Sequence, residues 1–560
     1  GDAGQPATSS APAEQPQEAE EREAVSKKDK KKKKIKPVEI ELEGFEARAV
    51  PLPVPAGNFS HLAVNDEGHL LYVRHPLRGS DDKPAIQIFD VKDDEKKEKT
   101  VLKDVRGFDL SADGKKILVR KDGKLFIVKA RPDQKTDKPM PTSGMVVSID
   151  PRQEWREVFS EAWRIMRDFF YVPNMHGVDW PGIRSRYGKM LEDCVCREDV
   201  SFIIKEMISE LNVGHAYYNA TDPDQGPRVS VGLLGVDFEL QDGAYRISKI
   251  YAGGPWDLDA RGPLSQPGIN VREGNYLLAV NGLPLDTRAD PWAAFQGLAG
   301  RTVVLTVSDQ PALNDEARDV VVELLVSDRE LRYRAWIEAK RAYVDERSGG
   351  KVGYIYVPNT GRDGQADLVR QFHGQRFKQA LIIDDRWNGG GQIPDRFIEL
   401  LNRPLLSMWA RRHGRPGRTP PQSHQGPKCM LINGLAGSGG DAFPAYFRQT
   451  GLGKLIGTRT WGGLVGISGN PDFIDGRHMS VPTFGAYNLD STWAIEGHGV
   501  DPDIEVIDDP SRMVDGGDPQ LDRAIELMLE EIALHPFIEP PPPPPPDRSG
   551  MGLENERGKN

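Results

Sequence analysis

Met430-Leu431-Ile432-Asn433-Gly434-Leu435-Ala436-Gly437-Ser438-Gly439-Gly440-Asp441 reads as a short buried strand that runs into a glycine-rich turn, with a helix beginning near Asp441. Glycines there let the backbone turn sharply and approach a ligand closely. A serine at the head of a helix stands among N–H groups that lack intrahelical partners, and such groups can hold an oxyanion as it forms. These residues alone leave Ser438 two readings, a nucleophile or an ordinary N-cap.

A second turn of the same kind lies upstream. Leu381-Ile382-Ile383-Asp384 is another buried strand, and Asp384-Asp385-Arg386-Trp387-Asn388-Gly389-Gly390-Gly391 leaves its C-terminal end. Ligands of open α/β sheets bind outside the carboxyl ends of the strands, so two glycine-rich loops at that edge can each aim an N–H at one oxyanion. A phosphate cradle is the competing reading, but no Gly-Lys-Ser/Thr follows and no acidic residue sits where a ribose would be held. A strand over 352–357, a helix over 364–377 and a last helix over 519–534 give an alternating α/β domain across 311–538. The last helix, with apolar Leu521, Ile525, Met528 and Ile532, reads as a packing or subunit-contact element.

Three other folded regions precede it. Residues 39–140 carry short alternating strands such as Leu70-Leu71-Tyr72-Val73 and Lys116-Ile117-Leu118-Val119, with Ala112-Asp113-Gly114 and Lys121-Asp122-Gly123 at hairpin spacing. They predict about two four-stranded blades of a β-propeller. A ring closes with roughly 4–8 blades, so further blades are expected ahead of this chain. Residues 141–225 change to helical period, with Trp155, Phe159, Ala162, Met166 and Phe169 on one stripe and Val200, Ile204, Met207 and Leu211 on another. Gly214-His215 follows the second helix. Residues 226–310 resemble a PDZ domain: Gly232-Leu233-Leu234-Gly235 opens a strand, Arg272 to Gly282 closes a hairpin, and a helix near 291–298 and a strand at Val303–Val307 complete it. Such a domain offers loop N–H groups to a carboxylate and a strand edge to a peptide.

The ends read differently. Residues 1–38 are polar and then lysine-dense, which predicts a disordered segment, and 539–560 hold Pro540 to Pro546, an extended tail. Composition bounds the rest. A chain of 560 residues predicts several domains, and 38% hydrophobic residues suffice for their cores. A net charge of −11 argues against coating nucleic acid, and no apolar run is long enough to span a membrane. Three cysteines exclude a disulfide-stapled fold.

A serine nucleophile needs a base, and eleven histidines compete. His61, His69 and His75 fall among the blade strands, and His413 and His424 in a polar loop. His176, His478 and His498 stay open beside His215, which equally suits a structural cap on its helix. No His-Glu-x-x-His occurs, so a zinc peptidase is unsupported.

Taken in order, the four regions resemble the tricorn protease family. The likeness is carried by Glu161-Ala162-Trp163-Arg164, Arg167-Asp168-Phe169-Phe170-Tyr171, Asn174-Met175-His176-Gly177-Val178-Asp179-Trp180, the run Gly451 to Gly463, and Glu496-Gly497-His498-Gly499-Val500-Asp501-Pro502-Asp503. It spans about residues 40–535. The resemblance implies Ser438 as nucleophile, His215 as general base, and Glu496, rather than Asp501 or Asp503, as the acid that orients the base through intervening groups. It implies an oxyanion hole from the N–H of Gly439 and of Gly390 or Gly391. Gly389, Gly466, Ile467 and Ser468 would line the substrate groove.

It further implies peptide substrates, no metal or organic cofactor, a homo-hexamer gated by propellers, downstream aminopeptidases and a cytoplasmic setting. Two positions depart from the family pattern. Gly214 stands where a serine usually bridges base and glutamate, and Gly439 where an aspartate usually follows the nucleophile. A catalytically impaired, PDZ-bearing peptide-binding scaffold is therefore the alternative. Met408-Trp409-Ala410-Arg411-Arg412 contains no carboxylate to select a basic side chain.

Overall fold

The computed structural model describes residues 41–77, 80, 82–142, 144–218, 226–254, 261–514 and 516–546. The segment read as disordered, 1–38, and the tail beyond 546 lie outside them. The chain divides into two units, Gly1–Ser148 and Ile149–Asn560.

In the first unit β1 (Asn58–Val64), β2 (Leu70–His75), β3 (Ala85–Phe89) and β4 (Lys99–Lys103) form an antiparallel meander. A second has three strands, β5 (Asp109–Leu110), β6 (Lys116–Lys121) and β7 (Lys124–Lys129), where four were expected. After β7 come Pro132, Pro139 and Pro141, which have no N–H for a ladder. Asp133 and Gln134 instead donate their N–H groups to the carbonyls of Thr100 and Val101 in β4, at 2.9 and 2.8 Å. The described residues close no ring.

The second unit opens with α1 (Pro151–Phe169), α2 (Trp180–Met190) and α3 (Arg197–Ser209). Asp150 caps α1 by accepting from the N–H groups of Arg152 and Gln153. Ala162, Met166, Ile204, Met207 and Leu211 are fully buried, as their spacing predicts. Phe169 is not: α1 ends there, the backbone turns extended, and Phe170 enters the core instead. This core also takes in Phe473, Met479 and Val481 from far downstream. A two-residue strand, β8 (Tyr217–Tyr218), pairs antiparallel with Met479–Ser480, so the segment carrying His215 is stitched to the C-terminal part of the chain.

Next comes an antiparallel sheet of β9 (Val236–Gln241), β10 (Ala244–Ile250), β11 (Tyr276–Val280), β12 (Leu283–Pro284), β13 (Thr302–Ser308) and β14 (Arg318–Glu323). It runs past the expected limit at 310, because β14 pairs with β13 over its whole length. The expected helix is a single 3-10 stretch, Pro291–Phe295. Gly232 and Leu233 already donate their N–H groups to Phe295 and Leu325 carbonyls, so half of the predicted carboxylate loop is engaged internally.

The last layer is a parallel sheet in the order β15 (Val352–Tyr356), β16 (Ala380–Asp384), β19 (Lys428–Ile432), β20 (Gly453–Gly457), β22 (Ile504–Glu505). The numbers between belong to a hairpin, β17 (Ser407–Trp409) with β18 (Gly417–Thr419), and to β21 (Met479–Ser480). Both faces of the sheet are covered, which is why its strands are continuously apolar. One core holds Phe372, Phe397, Phe443 and Phe447 from α5 (Arg362–Gln375), α6 (Pro394–Leu401) and α7 (Gly439–Gln449). The other holds Ile337 and Val344 of α4 (Arg329–Arg347) and Leu521, Ile525 and Met528 of α8 (Pro519–Leu534). The final helix is thus a packing element of this sheet.

At the end of β16 the Arg386 side chain is wholly buried. Its Nε and Nη2 donate to Asp384 at 2.9 and 2.7 Å, and Nη1 and Nη2 donate to Asp518 at 2.9 Å each. Lys340 of α4 also pairs with Asp518 at 2.8 Å. Removing one partner strands a buried charge, so Asp518→Ala should lower the unfolding free energy of this unit by about 3–5 kcal/mol. Urea denaturation checks this; a loss under ~1 kcal/mol, the level of exposed pairs, would contradict it.

Candidate active site

The four loops leaving the C-terminal ends of β15, β16, β19 and β20 meet at one edge of the sheet. Gly437 donates its N–H to the Asn388 carbonyl at 3.1 Å, Thr360 to the Gly390 carbonyl at 2.9 Å, and Trp461 to the Ala436 carbonyl at 2.9 Å. Ser438 stands in the middle of them at the head of α7. Its backbone has φ 59° and ψ −116°, a conformation that side-chain-bearing residues avoid and that persists only where surroundings impose it. Trp387 and His215 also have positive φ, 60° and 58°.

The imposing groups are visible. Asp441 is fully buried, and its carboxylate accepts from Ser438 N–H at 2.7 Å, Gly462 N–H at 2.7 Å and Gly463 N–H at 3.1 Å. Burial raises its pKa, while these hydrogen bonds oppose the rise. Asp441 therefore ties the Ser438 turn to the loop after β20. Its signal was present in the sequence as Ser-x-x-Asp before a helix, a capping-box pattern, though only as a helix start.

The glycine loop after β16 presses against Ser438. A Cβ added at Gly390 would sit 2.7 Å from Ser438 Cβ and 3.1 Å from Gly439 N, and a Cβ on Gly439 would overlap Thr360 Oγ1. Both positions need glycine for close approach, and Gly390 also has φ +85°. Within this loop, Gly389 donates to the Pro358 carbonyl at 3.0 Å and Gly390 to Asn388 Oδ1 at 2.8 Å. Asn388 is itself held by Asp385 Oδ1 at 2.7 Å. Among the described residues, no acceptor takes the N–H of Gly391 or of Gly439. Of the two glycines favoured from sequence, Gly390 is thus engaged and Gly391 is free.

Glu496 lies across from this turn. Its Oε1 accepts from Gly214 N–H at 2.8 Å, and its Oε2 from Leu464 and Val465 N–H at 2.5 and 2.9 Å. These bonds bring the loop bearing His215 to the site from 282 residues away. His215 packs against Trp461, ring centroids 5.6 Å apart, and Trp461 also crowds Gly437, one residue before Ser438. Burial lowers the His215 pKa below 6.5, against the opposing fields of Glu496 and Asp441.

The competing residues have other partners. His176 bonds Tyr171 and the Leu211 carbonyl, His478 faces Asp472, and His498 faces Asp501. Asp503 accepts from Leu455 N–H. The expected substrate edge is partly closed: Gly466 donates to the Phe484 carbonyl and accepts from Thr483, and Ser468 N–H donates to Thr483 Oγ1. Of Gly466, Ile467 and Ser468, only Ile467 keeps its backbone groups unpaired, because the segment folds back on 483–484. No group of three or more metal-ligating side chains occurs among the described residues.

Residues 151–209 match the tricorn protease C1 domain, 232–327 the tricorn protease PDZ domain, and 351–506 peptidase family S41. The chain carries tricorn-protease domains. It is 35% identical over 517 residues to tricorn protease homolog 1 of Streptomyces coelicolor, covering 89% of this chain and 48% of that protein. To the tricorn protease of Thermoplasma acidophilum it is 32% identical over 497 residues, covering 87% and 45%. A crystal structure of the tricorn protease superposes with a TM-score of 0.76 at 31% identity, covering 86% of this chain and 47% of that one. The chain spans about half the length of these relatives. No described helix is long and apolar enough to cross a membrane.

The packing at Gly390 predicts that Gly390→Ala displaces Ser438. A fluorophosphonate that phosphonylates activated serines should label the variant at least tenfold more slowly than the parent, the scale of a lost transition-state contact. Equal labelling rates would show that the two loops do not act together.

Proposed function

We propose that this chain is a tricorn-type serine peptidase that cleaves short peptides through an acyl-enzyme. The observation that carries the proposal is Ser438, held at φ 59° beside two free N–H groups, with the His215 loop hydrogen-bonded to Glu496 alongside. In this reading His215 Nε2 takes the Ser438 proton as Oγ attacks the peptide carbonyl, and the Gly439 and Gly391 N–H groups hold the negative oxygen. His215 then protonates the leaving amine, and water attacks the ester to release the acid. Glu496 contributes by fixing the loop and by its charge, which favours the imidazolium that forms. Ile467, with Gly389, Gly466 and Ser468 behind it, faces the substrate. The two meanders of the first unit fit the last blades of a propeller. A hexamer in the cytoplasm, trimming products of larger proteases ahead of aminopeptidases, fits the relatives' kinship.

A peptide-binding scaffold is the second reading, favoured by glycine at 214. Hydrolysis of a mixed short-peptide library, read by mass spectrometry, separates the two. Cleavage by the parent that disappears in Ser438→Ala supports the peptidase; binding without cleavage supports the scaffold.

Two further outcomes follow from the geometry. Glu496→Gln removes the charge and sets an amide NH2 against at least one N–H donor, Gly214 if its oxygen keeps Leu464 and Val465, so kcat should fall roughly tenfold or more while KM changes little; unchanged turnover would remove Glu496 from the mechanism. The base must be neutral to accept a proton, and burial lowers its pKa. The acid limb of kcat/KM should therefore fall below pH 6.5, with full rate on this group above it. An acid limb above pH 6.5 would contradict the assignment of His215.

A further inference from the structure

The family's serine hydroxyl is missing at Gly214, and the structure leaves no easy room for it. A Cβ there would lie 2.9 Å from Gly463 Cα and 3.2 Å from Glu496 Oε1. The Glu496 carboxylate is also occupied, with three backbone N–H groups on its two oxygens. It acts on His215 through space, as Asp441 does. Neither acid forms a hydrogen bond to the imidazole that would select its tautomer.

A different group does touch the ring. The Tyr217 hydroxyl lies 3.2 Å from His215 Nδ1. The two rings are tilted by 52° with centroids 5.9 Å apart, so the oxygen rather than the ring face meets the imidazole. Tyr217 is positioned by backbone as well as by packing: it stands opposite Ser480 in the β8–β21 ladder, two residues beyond His215. Burial and the Glu496 charge raise its pKa above 10, so the phenol is neutral throughout the working range.

We propose that Tyr217 is the positioning residue for His215, supplying from two residues downstream the hydroxyl that Gly214 cannot. This rests on His215 being the general base. A neutral phenol oxygen accepts the Nδ1 proton, and an imidazole with its proton on Nδ1 keeps the Nε2 lone pair for Ser438. When Nε2 takes up the serine proton, Nδ1–H still donates to Tyr217, so the same contact also stabilises the imidazolium. Among the described residues, the charged and titratable groups facing the ring are Glu496, Asp441 and Tyr217, and of these only Tyr217 forms a hydrogen bond to it.

Tyr217→Phe removes the oxygen and keeps the ring. The test uses the full chain labelled with 15N-histidine, the His215 signals being assigned by their loss in His215→Asn. Nitrogen shifts are followed across pH, in parallel with phosphonylation of Ser438 by a fluorophosphonate, in which Oγ displaces fluoride from phosphorus. The parent should show His215 protonated at Nδ1. Tyr217→Phe should show mixed tautomers and a lower imidazole pKa. Phosphonylation should slow about tenfold, the worth of one hydrogen bond at the upper end of its usual range. Unchanged tautomer, pKa and phosphonylation rate would overturn the proposal. A parent that resists phosphonylation, but whose tautomer shifts in Tyr217→Phe, would overturn the peptidase reading while supporting the hold of Tyr217 on the ring.

Discussion

A guanidinium buried at the end of a parallel strand organises the α/β layer. Arg386 cannot remain charged inside the protein unless its donors meet acceptors, and Asp384 and Asp518 meet them from two sides. Asp384 belongs to β16 and Asp518 caps α8, so the pairing locks the exit of the strand to the last helix. The glycine loop that reaches Ser438 begins at this anchor. Tyr354 adds its hydroxyl to Asp384 at 2.8 Å, extending the network across to β15.

Beyond that anchor, carboxylates shape the site through backbone N–H groups more than through side chains. Asp441 holds the Ser438 turn against Gly462 and Gly463, and Glu496 holds Gly214 against Leu464 and Val465. Both acids grip the same segment, 462–465. A loop so fixed needs no rearrangement when charge develops, which is how preorganised donors gain their effect. The glycine at 214 fits this plan: its N–H serves Glu496, and the hydroxyl that meets the His215 ring comes from Tyr217 on the same loop.

Much of this was legible in the sequence. Apolar runs at β16 and β19, glycine-rich exits and the helix of 519–534 are local signals, and each lies where its pattern places it. Errors came where a long-range contact overrides local pattern. Gly466 and Ser468 look like a free edge, yet 483–484 folds onto them. The sheet over β9–β14 continues past 310, because β14 finds its partner in β13 rather than ending the domain. The second meander stops at three strands where prolines remove the donors a fourth would need.

Residue order alone determined that Ser438 heads a helix after a buried strand and that glycines surround it, because period, turn chemistry and the absence of a Cβ are local properties. It could not determine which donors remain free or which acid serves which histidine. Gly390 and Gly391 are neighbours with the same chemistry, and only the position of Asn388 engages one and leaves the other. Tyr217 is an ordinary aromatic until the ladder with Ser480 sets it beside the imidazole. Such assignments depend on contacts of about 3 Å whose loops are held by partners hundreds of residues away, as Gly214 is by Glu496, and chain folding alone sets those distances.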